Sequence, residues 1–171
     1  MSDKPGAVTM KGNPLTLTGN EVRAGDKAPD FTALDTSLAP VGLSAFAGKV
    51  VVITSVPSLD TPVCDVETRR FNGEAEKLGE DVQILTVSMD LPFAQKRWCG
   101  NADVKTVKTL SDHKDASFGL AYGMLIKELR LLARAVFVID RAGVIRYIQL
   151  VKEMSAEPDY DAALAAIRKL L

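Results

Sequence analysis

The sequence predicts an α/β fold with a mixed central β-sheet flanked by helices. Two apolar, β-branched runs, Val50–Val56 and Val82–Ser88, have the length and composition of strands buried on both faces. Segments of helical character separate the strand-like runs, which is the alternation of a layered α/β protein. A late pair, Ala135–Asp140 and Val144–Leu150, is joined by Arg141-Ala142-Gly143 and reads as an antiparallel hairpin, so the sheet is mixed rather than purely parallel.

Taken in order, Thr9–Arg23 is rich in Gly, Asn and Thr, with Leu15, Leu17 and Val22 in short extended stretches. This predicts an N-terminal β-hairpin within about residues 1–25. Asp26–Pro29 reads as a turn, and Leu43–Ala47, before Gly48, as a short helical turn. The strand Val50–Val56 ends at Pro57. Thr61–Leu78 reads as a helix stopped by Gly79. After the strand Val82–Ser88 comes a short helix, Pro92–Cys99, closed by Gly100. Val107–Leu110 reads as a strand and Asp115–Tyr122 as a helix stopped by Gly123. Tyr160, Ala163, Leu164, Ile167 and Leu171 recur with a helical period, so the chain closes on an amphipathic helix. No repeat, low-complexity tract or linker interrupts the pattern, and a single domain spanning residues 1–171 is expected.

With 47% hydrophobic and 25% charged residues, the composition is that of an ordinary globular protein. A net charge of −1 argues against a nucleic-acid partner, whose footprint would be basic. No apolar run approaches the roughly 20 residues of a membrane helix, and Met1–Asp30 lacks a signal-peptide core. The expectation is a cytoplasmic protein with no membrane partner. There a permanent structural disulfide is not expected. Two cysteines and one histidine also make a poor metal kit, so neither metal nor other cofactor is expected.

The chemistry concentrates in Pro57–Cys64. Thr61 suits the N-cap and Pro62 the first helical position, which puts Cys64 inside the first turn. Unpartnered backbone N–H groups and the positive end of the helix dipole favour a thiolate there. Ionisation alone brings no more than about 30-fold over an unperturbed cysteine. A reactive site therefore also needs donors aimed at the atoms where charge develops. Thr61 offers a hydroxyl three residues before Cys64. Arg134 lies between the apolar Leu131-Leu132-Ala133 and the strand Ala135–Asp140, where a permanent charge needs an anionic partner such as a thiolate. Asp65 would disfavour the thiolate unless it points outward. Plainer roles are available for each residue: Cys64 as a small core residue, Thr61-Pro62 as a cap only, Arg134 as the partner of Glu128 or Asp140.

A thiolate that attacks a peroxide becomes a sulfenic acid, which must be resolved or it over-oxidises. Cys99 can resolve it as a disulfide with Cys64, or else simply packs beside Trp98. A disulfide needs Cα atoms within about 7 Å. Two cysteines on separate helices then require the first turn of the Cys64 helix, or the Pro92–Cys99 helix, to unwind in part.

Pro57, Thr61 and Cys64 together form P-x-x-x-T-x-x-C, the peroxiredoxin active-site pattern. The surrounding Ser-Val-Pro-Ser-Leu-Asp-Thr-Pro-Val-Cys-Asp resembles the thiol peroxidase subfamily of the peroxiredoxins. So do Asp90-Leu-Pro-Phe-Ala-Gln, Arg97-Trp-Cys-Gly, Leu132-Ala-Arg-Ala-Val-Phe-Val-Ile-Asp and Glu157-Pro-Asp-Tyr, an ordered set running from near Gly12 to the C-terminus. The resemblance implies a thioredoxin-like fold with an N-terminal hairpin extension. It implies Cys64 as peroxidatic and Cys99 as resolving cysteine of an intrachain disulfide, Thr61 and Arg134 as supports of thiolate and peroxide, and Pro57 as a shield. It further implies a homodimer that reduces hydrogen peroxide and organic hydroperoxides, with thioredoxin as the external reductant. A dithiol oxidoreductase would need C-x-x-C, but residue 61 is threonine and residue 67 glutamate. A redox sensor, oxidised once without turnover, and a plain scaffold with inert thiols are the other classes the sequence allows.

Overall fold

A computed structural model describes all 171 residues. The chain opens with β1 (Ser2–Met10) and β2 (Asn13–Gly19), paired antiparallel about a Lys11-Gly12 turn. The expected N-terminal hairpin is therefore present, within the expected residues 1–25. Two short strands follow, β3 (Thr32–Leu34) and β4 (Pro40–Gly42), then a 3-10 turn at Leu43–Phe46. The central elements are β5 (Val50–Ser55), α1 (Pro62–Leu78), β6 (Val82–Ser88), α2 (Pro92–Ala102), β7 (Lys108–Ser111) and α3 (Ser117–Tyr122). The chain ends with β8 (Leu125–Ile126), β9 (Leu131–Leu132), β10 (Ala135–Ile139), β11 (Ile145–Leu150) and α4 (Tyr160–Arg168).

Seven strands form the main sheet in the order β11-β10-β5-β6-β7-β3-β4. The β5, β6 and β7 strands are parallel, joined by crossovers through α1 and α2, while β10 runs antiparallel to both β5 and β11. The sheet is thus mixed, as expected. Side chains alternate across it. Val50, Val52, Ile84, Val136 and Val138 belong to one apolar cluster with α1, α2 and α4. On the other face, Val51, Ile53, Leu85, Phe137 and Ile139 pack with α3 and the N-terminal hairpin. Period-2 alternation with both faces apolar is why these strands read as continuous hydrophobic runs.

A second, four-stranded sheet has the order β1-β2-β8-β9. Met124–Ile126 is buried in it, and the chain turns into it from α3 at Gly123. That residue has φ +68, and a Cβ there would collide with the Asn20 carbonyl oxygen. Only glycine meets both demands.

At α2 and at the start of α1 the structure departs from expectation. The α2 helix does not close at Gly100 but runs through it to Ala102, stopping where Asp103 turns left-handed. Thr61 occupies the N-cap of α1 but its side chain does not cap it; the hydroxyl donates instead to the Ser58 carbonyl oxygen at 2.9 Å. No helix is long and apolar enough to cross a membrane.

Candidate active site

The site lies where β5 ends. The strand delivers the chain to buried Val56 and Pro57, and the loop Ser58–Thr61 then starts α1. The buried stripe of α1 is Cys64, Glu67, Thr68, Phe71, Asn72 and Ala75, which is a helical face against the sheet. Cys64 is fully buried, and both cysteines are free thiols. The loop is pinned from β6: the Asp90 carboxylate accepts from Ser58 Oγ at 2.7 Å, from Leu59 N at 2.8 Å and from Ser88 Oγ at 2.7 Å. Thr61 leans on the same loop through Ser58.

Arg134 reaches the site by strand register. Ala135, the first residue of β10, is paired with Ser55, the last of β5, so Arg134 stands beside the start of the loop. Ser55 Oγ fixes that junction by donating to the Ala133 carbonyl oxygen at 2.7 Å. Arg134 is 1% exposed. Its Nη1 donates to Glu67 Oε2 at 2.6 Å, and its Nη2 and Nε donate to the Met154 carbonyl oxygen at 2.9 and 3.3 Å. Neither Glu128 nor Asp140 is its partner: Glu128 accepts from Thr16 N, and Asp140 pairs with Arg146. Burial pulls against the guanidinium charge, but neighbouring Cys64 and Glu67 both sustain it, and together they hold the group above its ordinary value. The structure thus groups Pro57, Thr61, Cys64 and Arg134 around the start of α1.

Sequence reasoning missed Glu67. It is fully buried, and its Oε1 has no hydrogen-bond partner. Burial pushes its carboxyl up to about 7, against the lowering pull of Arg134. The signal was available, since Glu67 is three residues from Cys64 and falls on the apolar face of the helix.

Cys99 does not join the group. It is half-buried on α2, with Sγ 3.5 Å from Thr109 Oγ1 on β7, and it borders a cleft of about 400 Å³. The bond from Trp98 runs elsewhere: its Nε1–H donates to Asp65 Oδ1 at 2.9 Å. Asp65 does point away from the sulfur, into this contact and an ion pair with Arg69 at 2.9 Å. A larger cleft of about 630 Å³, lined by Lys27, Lys49, Val51, Ile139 and Arg141, opens at the other end of β5 and shares no residue with the Cys64 site. No group of three or more His, Cys, Asp or Glu side chains is placed to hold a metal ion.

Comparison with known proteins identifies the family. Residues 23–164 match the Redoxin family. The chain is 56% identical over 165 residues to the thiol peroxidase of Halalkalibacterium halodurans, covering 96% of this chain and 99% of that one. It is 54% identical over 164 residues to the thiol peroxidase of Bacillus subtilis, covering 96% and 98%. Among solved structures, a peroxiredoxin-like protein from Aquifex aeolicus superposes with a TM-score of 0.90 at 42% identity, over 96% of both chains. A thiol peroxidase from Chromobacterium violaceum, at 20% identity, shares the fold with a TM-score of 0.84 over 95% of both chains. The fold is the thioredoxin-like fold of the peroxiredoxins, and the chain belongs to the Redoxin family and, within it, to the thiol peroxidases.

Proposed function

We propose that this peroxiredoxin-type peroxidase reduces hydroperoxides at Cys64 and resolves the product through Cys99, with thioredoxin as the final reductant. The observation that carries the reading is the buried Cys64 in the first turn of α1 with the anchored guanidinium of Arg134 beside it. In the first step the Cys64 thiolate attacks the terminal oxygen of ROOH. An S–O bond forms, the O–O bond breaks, and RO⁻ leaves and takes a proton to become ROH. Arg134 stabilises the thiolate and the charge that develops on the leaving oxygen. It is held to that task by Glu67 and the Met154 carbonyl oxygen. The Thr61 hydroxyl exchanges its Ser58 partner for the peroxide, and Pro57 keeps water from the sulfur.

In the second step the Cys99 thiolate attacks the Cys64 sulfur of the sulfenic acid. The S–S bond forms, the S–O bond breaks, and hydroxide leaves as water. Cys99 faces β7 in the reduced protein, so α2 unwinds in part before this step. A dithiol then returns both cysteines to thiols, and no bound cofactor takes part. The working protein is further proposed to be a cytoplasmic homodimer, and sedimentation of the purified chain tests the dimer.

A thioredoxin-coupled peroxidase assay tests the scheme. Cys64→Ser should abolish peroxide consumption. Cys99→Ser should undergo the first oxidation at the wild-type rate and then lose thioredoxin-linked turnover. Normal turnover by Cys99→Ser would rule out the intrachain disulfide.

A further inference from the structure

The two cysteines are bracketed by residues that touch each other. Asp65 follows Cys64, Trp98 precedes Cys99, and the Trp98 indole donates to the Asp65 carboxylate at 2.9 Å. Arg69 braces the pair. Its Nε donates to the other Asp65 oxygen at 2.9 Å, its Nη1 donates to the Ala102 carbonyl oxygen at 3.3 Å, and its guanidinium lies 5.9 Å from the centre of the Trp98 ring. Farther along the same stripe, Asn72 Oδ1 accepts from Thr106 N at 3.0 Å and Val107 N at 3.2 Å. Asp65, Arg69 and Asn72 have i, i+4, i+7 spacing, so one edge of α1 fastens both α2 and the segment leaving it.

This fastening fixes where Cys99 points. Consecutive residues on a helix project about 100° apart. With Trp98 held against α1, Cys99 is turned to Thr109 on β7. A hydrogen bond to a carboxylate acceptor is also a strong one, and the indole ring that donates it is only 9% exposed.

We propose that Asp65 and Trp98 are positioning residues for the resolving step: their hydrogen bond, braced by Arg69, keeps α2 wound with Cys99 turned away, and must open before Cys99 reaches Cys64. The proposal rests on Cys99 being the resolving thiol. Its consequence is a timed delay. Peroxide reacts with the fastened protein, and the sulfenic acid then waits for the contact to open. During that wait a second hydroperoxide can transfer its oxygen to the sulfenate, giving the sulfinate and ROH. The Asp65–Trp98 bond therefore sets the partition between recycling and over-oxidation at Cys64.

Rapid-quench oxidation with one equivalent of hydrogen peroxide, followed by alkylation and mass spectrometry, resolves the sulfenic acid and the disulfide in time. Trp98→Phe keeps a ring but cannot donate. It should form sulfenic acid within about twofold of the wild-type rate and the disulfide about tenfold faster, the size expected for losing a hydrogen bond to a charged acceptor. At high peroxide it should accumulate correspondingly less sulfinate. Asp65→Ala removes the same bond and the Arg69 brace with it, so it should accelerate disulfide formation at least as much, and the double variant should be no faster than Asp65→Ala alone. General damage to the fold would slow both steps rather than speed the second alone. An unchanged or slower disulfide step in Trp98→Phe, or additive accelerations, would overturn the proposal while leaving the peroxidase scheme intact. If the wild type oxidises Cys64 but never forms the Cys64–Cys99 disulfide, the resolving scheme itself fails, and this role fails with it.

Discussion

At the level of single residues, Glu67 and Arg134 show how a charge is kept in a core. The carboxylate is fully buried with one oxygen unpartnered, so its ionised form is costly despite the 2.6 Å contact to Arg134. Its folded pKa is raised from 4.5 to about 7. Between those values the folded chain keeps a proton that the unfolded chain has released, so stability falls as pH rises through this window. The unfolding free energy of Glu67→Gln relative to wild type should therefore climb from pH 4.5 to about 7 and level off above it. The steepest slope is about 1.4 kcal/mol per pH unit, the limit for one proton. Urea denaturation of both chains across pH 4.5–8 measures it, and a flat difference would mean that Glu67 is ionised throughout. Pro57, Thr61, Cys64 and Arg134 could be picked out as candidates from the sequence because each sits at a marked place: a strand end, a helix cap, a first turn, an apolar stretch. The partner of Arg134 was not legible, because what joins residues 67 and 134 is the β5–β10 register, which no local pattern encodes.

Among elements, the long ones were legible and the shortest strands were not. The β5, β6, β10 and β11 strands and helices α1 and α4 carry enough periodic apolar residues to declare themselves. The β3, β4, β8 and β9 strands span only two or three residues each, and they are strands because a neighbour is in place to pair with them. The end of α2 misled for a related reason. Gly100 looks like a stop, yet contacts from α1 at Trp98 and Ala102 carry the helix past it. Its presence still weakens α2. A Cβ at Gly100 would meet nothing within 4 Å, so no steric demand requires glycine there. Gly100→Ala should stabilise the helix by roughly 0.5–1 kcal/mol. Because α2 unwinds in part before the disulfide forms in the proposed scheme, this variant should slow that step about two- to fivefold, the rate equivalent of that stabilisation, and leave the first oxidation unchanged. Stopped-flow measurement of both phases decides it, and an unchanged second phase would locate the unwinding elsewhere.

For the whole molecule, the question is whether the N-terminal hairpin is an appendage or part of one cooperative unit. Its attachment to the far end of the chain favours the second. Thr9 N donates to the Lys152 carbonyl oxygen at 2.7 Å, and Met154 N donates back to that of Thr9 at 2.9 Å. Glu153 ties the knot: its carboxylate accepts from Thr9 Oγ1, Gly12 N, Ser155 N and Ser155 Oγ at 2.7 to 3.1 Å. The same segment supplies the Met154 carbonyl oxygen that holds Arg134, so the hairpin braces the site's own anchor. We propose that residues 1–171 unfold as one domain, with calorimetric and van't Hoff enthalpies equal at pH 7. The bonds from Ser155, Gly12 and Thr9 hold the Glu153 carboxyl down to about 2, against 4.5 for the free group. Its contribution is therefore complete above 4.5 and lost as pH falls toward 2. Hydrogen-exchange protection factors at Thr9, Gly12 and Met154 should drop through that window in the wild type. In Glu153→Gln they should already be lower at pH 7 and vary little below it. Protection that persists to pH 2 would show that the hairpin is held by backbone pairing alone. A separate low-temperature transition at pH 7 would show instead that it is an appendage.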